Sequence, residues 1–279
     1  MRDVARLIAI GVALLACAAF RAAATPQPGT APASPAASAD LPPAEEIFER
    51  YIEAIGGREK IDQIHNRRIE GTFAGEPFEF RASLKIWWEE DGRYHQFVSE
   101  PAGLRFNIMR NGDYTWVQVQ DKDPSFLGGM QRVELIDTAD FTGEVNYKNR
   151  YREYRTVGKA KADEQPVWVV QAITHIGRPH MLYFNRDTGL LVGTRVPTTG
   201  KDNKPHEMMV RVGNYQEFGG VLYPTLVQQQ FVGTDRTSEY RYTSIEVNVD
   251  DGHDYTVPDS IKAAYEEALA NSPAAKGDD

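Results

Sequence analysis

The sequence predicts a mainly β fold of the α+β class, in which one curved antiparallel sheet is accompanied by helices near both ends of the chain. Three observations predict it. Apolar residues recur at near two-residue spacing over 154–232, the turn sequences at 187–189 and 219–220 interrupt that stretch, and helical periodicity flanks the strands at 44–55 and 259–270. A curved sheet of this kind favours a ligand cavity over a catalytic centre.

The first 24 residues are predicted to be an export signal. Two arginines precede an apolar run of 14 residues at 7–20, which is too short to span a bilayer comfortably. Small residues at 22–24 fit an ordinary cleavage site, whereas Leu-Leu-Ala-Cys at 14–17 resembles a bacterial lipobox, with Cys17 as the lipidation candidate. Both processing routes stay open at this point.

The rest of the chain divides into a linker, one domain and a tail. Residues 25–43 are rich in Pro and Ala and have little to bury, which predicts a flexible linker. Residues 44–270 are predicted to form a single domain, and 271–279 a disordered tail. Because Cys17 is the only cysteine, the domain must be held by its core without a disulfide. The formal net charge of −9 excludes nucleic acid as a partner and leaves membrane contact to an acyl anchor at Cys17.

The first half of the domain is predicted from helical spacing followed by strand alternation. Ile47, Tyr51 and Ile55 fall on one stripe of a helix over 44–55, which Gly-Gly ends. Apolar even-numbered residues over 78–88 alternate with mostly polar ones, so the even side should face inward. The elements predicted after the first helix are a short helix over 58–64 and strands over 68–74, 78–88, 93–99, 104–110 and 114–120.

The second half begins with a break in the alternation. Residues 122–150 predict a loop with a short helix. A bulge is expected near Ser244 and Ile245, where the alternation changes side, and a closing helix is expected over 259–270 with Asp259 as its N-cap. The strands predicted between the loop and the closing helix lie over 154–158, 166–176, 181–185, 190–197, 210–217, 222–231 and 238–249.

A series of short segments carries a family likeness. They lie, in order, at 47–52, 56–57, 69–72, 157–159, 167–170, 183–190, 214–217, 219–221 and 223–224. Their order and spacing resemble the LolA/LolB-like superfamily, the outer-membrane lipoprotein-sorting proteins, over most of residues 44–250. The resemblance implies an incomplete β-barrel closed by N-terminal and C-terminal helices, with an apolar cavity that holds acyl chains.

The resemblance also implies a function. It points to a periplasmic protein, soluble or tethered to the outer membrane, that acts as carrier or acceptor in lipoprotein sorting. Expected partners are lipoprotein or lipid acyl chains and other envelope proteins. Alternation along the strands predicts which side chains face inward, where they either line such a cavity or fill an ordinary core. The predicted residues are Phe78, Phe80, Leu84, Ile86, Trp88, Phe106, Ile108, Trp116, Trp168, Leu182 and Phe184.

The sequence contains no recognisable catalytic or metal-binding pattern. The six histidines show no metal spacing, and neither a nucleophile elbow nor a phosphate loop occurs. No cofactor, metal or enzymatic activity is therefore expected. Two alternatives stay open: a non-catalytic periplasmic sensing or protein-interaction module, and a hydrolase that uses scattered carboxylates such as Glu76, Asp113 or Asp140.

Overall fold

The computed structural model describes residues 41–76, 78, 81–199 and 205–271. The predicted signal, Cys17, almost all of the linker and tail, and Phe80 lie outside the described residues. The strands are β1 (Asn66–Ala74), β2 (Ala82–Glu89), β3 (Tyr94–Ser99), β4 (Arg105–Asn111), β5 (Tyr114–Val119), β6 (Ser125–Phe126), β7 (Tyr151–Ala162), β8 (Gln165–Thr174), β9 (Pro179–Asn185), β10 (Leu191–Thr199), β11 (Pro205–Phe218), β12 (Val221–Phe231) and β13 (Thr237–Val247).

These strands form one sheet that does not close. Within the described residues it contains 13 strands in the order β6-β5-β4-β3-β2-β1-β13-β12-β11-β10-β9-β8-β7. Every neighbouring pair is antiparallel. Strands β6 and β7 are its two edges, and the pairing of β7 with β8 is interrupted by two register shifts. The predicted fold class, a mainly β open half-barrel with helices, is confirmed.

The helices lie near the ends of the chain and in the middle. They are α1 (Ala44–Ala54), α2 (Arg58–Ile61), α3 (Gly129–Thr138), α4 (Tyr147–Arg150) and α5 (Asp259–Ala270), with a 3₁₀ turn at Gly143–Asn146. Helix α1 forms because its apolar stripe has a surface to bury against, with the Phe48 ring stacked on Tyr147 at 4.4 Å between centroids. Glu45 and Glu46 in its first turn favour the helix dipole.

Three apolar clusters hold the sheet and helices together. One joins β1–β5 and β13 to Leu127, Leu135 and Ala139. A second joins α1 to β8, β9 and β10, with Tyr147 and Tyr151 between them. The third lies on the other face of β5, where Trp116 packs against Val257 and Ile261 of the C-terminal segment.

The bulge in β13 has a steric cause on the neighbouring strand. The pairing of β1 with β13 shifts register between Glu70 and Gly71, which leaves Thr243 as the extra residue. A Cβ at Gly71 would collide with the carbonyl of Arg241, so the two backbones approach this closely only because residue 71 is glycine. The bulge predicted near Ser244 and Ile245 is therefore present, with Thr243 as its extra residue.

Three other predictions differ from the structure. Strand β2 begins at Ala82 rather than at residue 78, because the chain turns at Gly75 in a positive-φ conformation. Asp259 is not an N-cap: Pro258 takes that position, and the Asp259 carboxylate pairs instead with Lys262 at 2.8 Å. Residues 122–150 contain more regular structure than the single short helix predicted, namely β6, α3, the 3₁₀ turn and α4.

Candidate functional site

Two adjoining cavities lie between the sheet and the covering segment, which is residues 129–150 with α3, the 3₁₀ turn and α4. The wide cavity has a volume of about 440 Å³ and the narrow cavity about 250 Å³. Residues that line both include Trp88, Thr138, Glu144, Val227 and Tyr242, so the two cavities share one wall. Pockets of about 300–1,000 Å³ are usual for small-molecule ligands, which places this pair within that range.

The walls contributed by the sheet are largely apolar. The wide cavity is lined by aliphatic side chains from α2, the β-strands and the chain after α2: Ile61, Ile64, Ile69, Val221, Leu222 and Ile245. The narrow cavity is lined by Ile86, Tyr94, Val196, Met208, Val210 and Tyr240. The narrow-cavity residues of β10 and β11 are two residues apart along each strand, which is how an antiparallel sheet presents one surface to a cavity.

An arginine joins the sheet to the covering segment. Arg67 of β1 lies with its guanidinium carbon 4.0 Å from the Phe141 ring centroid and 4.7 Å from that of Trp88, and it donates to the Phe141 carbonyl. Trp88 itself donates from Nε1 to the Ala139 carbonyl at 3.0 Å. Burial lowers the pKa of the Arg67 guanidinium, and electrostatic attraction to the Tyr223 phenol opposes that shift.

A partly buried network of charges joins the covering segment to Arg178, which precedes β9. Arg150 binds Asp137 at 3.0 Å and Asp140 at 2.9 Å. Arg178 lies 3.3 Å from Asp137 and 3.4 Å from Glu134, and it also donates to the Pro197 carbonyl at 3.1 Å. Removing one member of such a network would leave an uncompensated buried charge, so it holds α3 against the sheet as a unit.

Two side chains in this network have strongly shifted pKa values. Burial, with a smaller contribution from Asp137, raises the pKa of Glu134 to about 8 despite the opposing effect of Arg178. Burial lowers the pKa of His180 to about 4, and the attraction of Asp137 only partly offsets this. At neutral pH Glu134 is therefore mostly protonated and His180 neutral.

The structure separates the residues predicted to line a cavity. Ile86 and Trp88 line the cavities. Phe78, Leu84, Phe106 and Ile108 are buried in the cluster of β1–β5. Trp168, Leu182 and Phe184 pack in the cluster beneath α1, and Trp116 lies on the opposite face against the C-terminal segment. Which of these contact a ligand stays a prediction, and for Phe80 and Cys17 the question falls outside the described residues.

The charged lining was not anticipated from the sequence. Glu134, Asp137 and Asp140 recur every three residues, a spacing that places carboxylates on one side of a helix. The apolar pattern of 122–150 is too weak to locate that helix, so the spacing was not interpreted in this way. Of the scattered carboxylates considered for a hydrolase, Asp140 borders the wide cavity, whereas Glu76 pairs with Arg236 and Asp113 with Arg132. The structure therefore does not bring those three together.

A larger groove of about 750 Å³ lies on the other face of the sheet. Met209 and Arg211 line it, and these alternate along β11 with Met208 and Val210 of the narrow cavity. Its rim is polar and includes Asp163, which lies 3.8 Å from Arg211. Size alone does not make it the better candidate, because the paired cavities combine an apolar wall with buried polar groups whose pKa values are shifted.

Solved structures share this architecture. A LolA superfamily protein from Nitrosomonas europaea superposes with a TM-score of 0.51 at 15% identity, covering 78% of this chain and 99% of the other. The chain has a LolA-like fold. A DUF1329 family protein from Desulfovibrio piger gives a TM-score of 0.50 at 11% identity, covering 75% and 95% of the two chains.

Sequence comparisons add no further relative of this LolA-like chain. No family model and no curated protein matches it. Among the residues that the structure describes, no helix is long and apolar enough to cross a membrane.

Proposed function

We propose that this LolA-like chain binds an apolar ligand, the acyl chain of a lipid or lipoprotein, in the paired cavities. The observation that carries the proposal is the pair of adjoining cavities between the apolar face of an open sheet and a covering segment held by buried ion pairs. Burial of one methylene contributes about 0.8 kcal/mol, so about ten methylenes correspond to micromolar binding. An acyl chain of ordinary length therefore supplies enough apolar surface.

The finer role that we propose is that of a carrier or acceptor in outer-membrane lipoprotein sorting. The LolA-like fold and the predicted export signal support it. The protein would act in the periplasm, either free after cleavage before Thr25 or tethered through an acylated Cys17. The intact mass of the protein recovered from the envelope distinguishes the two forms.

We also propose that the role is non-catalytic. The carboxyl groups of Glu134, Asp137 and Asp140 each contact an arginine, which suits a structural cover better than an acid–base pair. Turnover of an acyl ester by the purified protein would contradict this. A stable complex with an envelope protein, formed while the cavities take up no apolar molecule, would favour the sensing or protein-interaction alternative.

The test uses diphenylhexatriene, an apolar dye that fluoresces on leaving water. The purified domain should bind the dye, and Val227→Trp should weaken that binding about tenfold, because an indole that displaces even two methylenes of contact costs about 1.6 kcal/mol. Val157→Trp is the matched control, since Val157 is exposed on β7 and lines neither cavity. Circular dichroism confirms that both variants fold. Equal dye binding by Val227→Trp and wild type would refute the proposed site.

A further inference from the structure

The narrow cavity differs from the wide cavity in the polar atoms that face it. Gln96, Glu134 and His180 line it and are only 4%, 5% and 2% exposed. Each has one side-chain atom without a hydrogen bond: Nε2 of Gln96, Oε2 of Glu134 and Nε2 of His180. A buried polar atom that lacks a partner costs about 1–3 kcal/mol. Because Nε2 of His180 lies 3.5 Å from the Asp137 carboxylate, the atoms that indicate a place for a polar group are those of Gln96 and Glu134.

Two of these three side chains can act as hydrogen-bond donors toward the cavity. The Gln96 carbonyl oxygen already accepts from the Tyr94 hydroxyl at 2.7 Å, which fixes the amide. The amide nitrogen interacts with the Tyr240 hydroxyl, and because it has two N–H groups, one of them can donate toward the cavity. Glu134 is protonated at neutral pH because burial raises its pKa to about 8, so its second oxygen can carry a hydrogen. The site therefore lacks an acceptor.

His180 is already engaged by its neighbours. Its Nδ1 lies 3.3 Å from the Tyr151 hydroxyl, and its Nε2 faces the Asp137 carboxylate at 3.5 Å. It therefore positions Asp137 and contributes less to the open side of the cavity than Gln96 and Glu134 do.

The two arginines that line the narrow cavity already have carboxylate partners. Arg150 pairs with Asp137 and Asp140, and Arg178 pairs with Asp137. An anionic ligand would have to share these arginines with the carboxylates already beside them, and an incompletely paired buried charge is costly. An uncharged acceptor fits better than a carboxylate or a phosphate.

We propose that the narrow cavity holds an uncharged carbonyl group of the ligand, an ester or amide of its acyl chain, through hydrogen bonds from Gln96 and Glu134, while the chain itself fills the wide cavity. This inference rests on the proposed function, because it assigns the polar end of the same ligand. The shared wall of the two cavities makes the arrangement continuous.

The test compares two molecules that differ in the carbonyl. Methyl hexadecanoate and methyl hexadecyl ether are used to displace diphenylhexatriene at pH 7. The ester should compete about tenfold better with wild type, since one buried donor left unpaired costs about 1.4 kcal/mol. Gln96→Leu should reduce this preference to about threefold or less, because the preference is a ratio of two competitors measured on the same variant. Glu134→Gln should keep it, because the amide N–H replaces the carboxyl O–H.

The control is Gln118→Leu, which changes the same residue type where the side chain bonds the Lys122 carbonyl away from both cavities. It should keep the full preference for the ester. Equal competition by ester and ether in wild type, loss of the preference in Glu134→Gln, or tighter binding of hexadecanoate than of its ester would overturn the inference. Failure of the dye itself to bind would instead overturn the proposed function.

Discussion

Replacing Glu134 by Gln should change how the stability of the domain depends on pH. Glu134 is 5% exposed, and its pKa is raised to about 8 in the folded protein, against about 4.3 for an unperturbed Glu. Between these values the folded state holds a proton that the unfolded state has released, so wild-type stability falls as pH rises. The variant lacks this titration and should not show that loss.

The magnitude follows from the raised pKa. While the folded state holds one proton more than the unfolded state, the free energy of unfolding falls by about 1.4 kcal/mol for each pH unit. Between pH 6.5 and 8 the linkage tapers as Glu134 begins to ionise in the folded state, so Glu134→Gln should gain about 1.6 kcal/mol on wild type over that interval. The contribution of His180 is common to both proteins and cancels in the difference.

Urea unfolding, followed by circular dichroism at pH 6.5, 7.25 and 8, measures this difference. Glu46→Gln is the control, because Glu46 is exposed in the first turn of α1, and its profile should parallel wild type. A constant difference between Glu134→Gln and wild type across the three pH values would refute the assignment of a protonated buried carboxyl.

Two further predictions concern the core and the sheet. Phe48→Ala should destabilise the domain by about 3–5 kcal/mol, because its fully buried ring anchors α1, whereas Leu269→Ala at a 51% exposed position should cost about 0.5 kcal/mol or less. Urea midpoints measure both, and equal losses would contradict the packing role of Phe48. Gly71→Ala should cost about 1–3 kcal/mol through the clash with the Arg241 carbonyl, measured by thermal unfolding. Gly213→Ala has open space at the same kind of strand position, and a similar loss there would argue against the clash.

The strands were the most predictable part of this chain. Apolar alternation and Gly-containing turns locate them because both depend on the period of the backbone and on local φ values. The prediction failed where tertiary contacts decide. Helix α3 has a weak apolar stripe, and its position depends on the ion pairs of Asp137 with Arg150 and Arg178. Arg178 is far from α3 in the sequence, so the local pattern does not show this pairing.

The candidate site was predictable only in its apolar part. Parity placed Ile86 and Trp88 on the inner face, and both line the cavities. Alternation along a strand shows which residues lie on the inner face of the sheet. It does not show which of them border a cavity, because the size of the gap depends on how closely a helix covers them. The polar part of the site depends on which charged side chains are buried. The sequence alone does not show this, so nothing in it identified Glu134 or His180 as site residues.

Among the residues that the structure describes, no strand pairs with the outer side of the 12-residue strand β7. Such an edge presents unpaired backbone groups to which a second chain could add a strand, and growth of that kind leads to aggregation. Two bulges bend β7, and its exposed positions include Arg152, Arg155, Lys159 and Lys161. Both features discourage strand addition. An open half-barrel stays open only if other copies of the same chain do not pair with its edge, and the positive, kinked edge of β7 opposes that pairing.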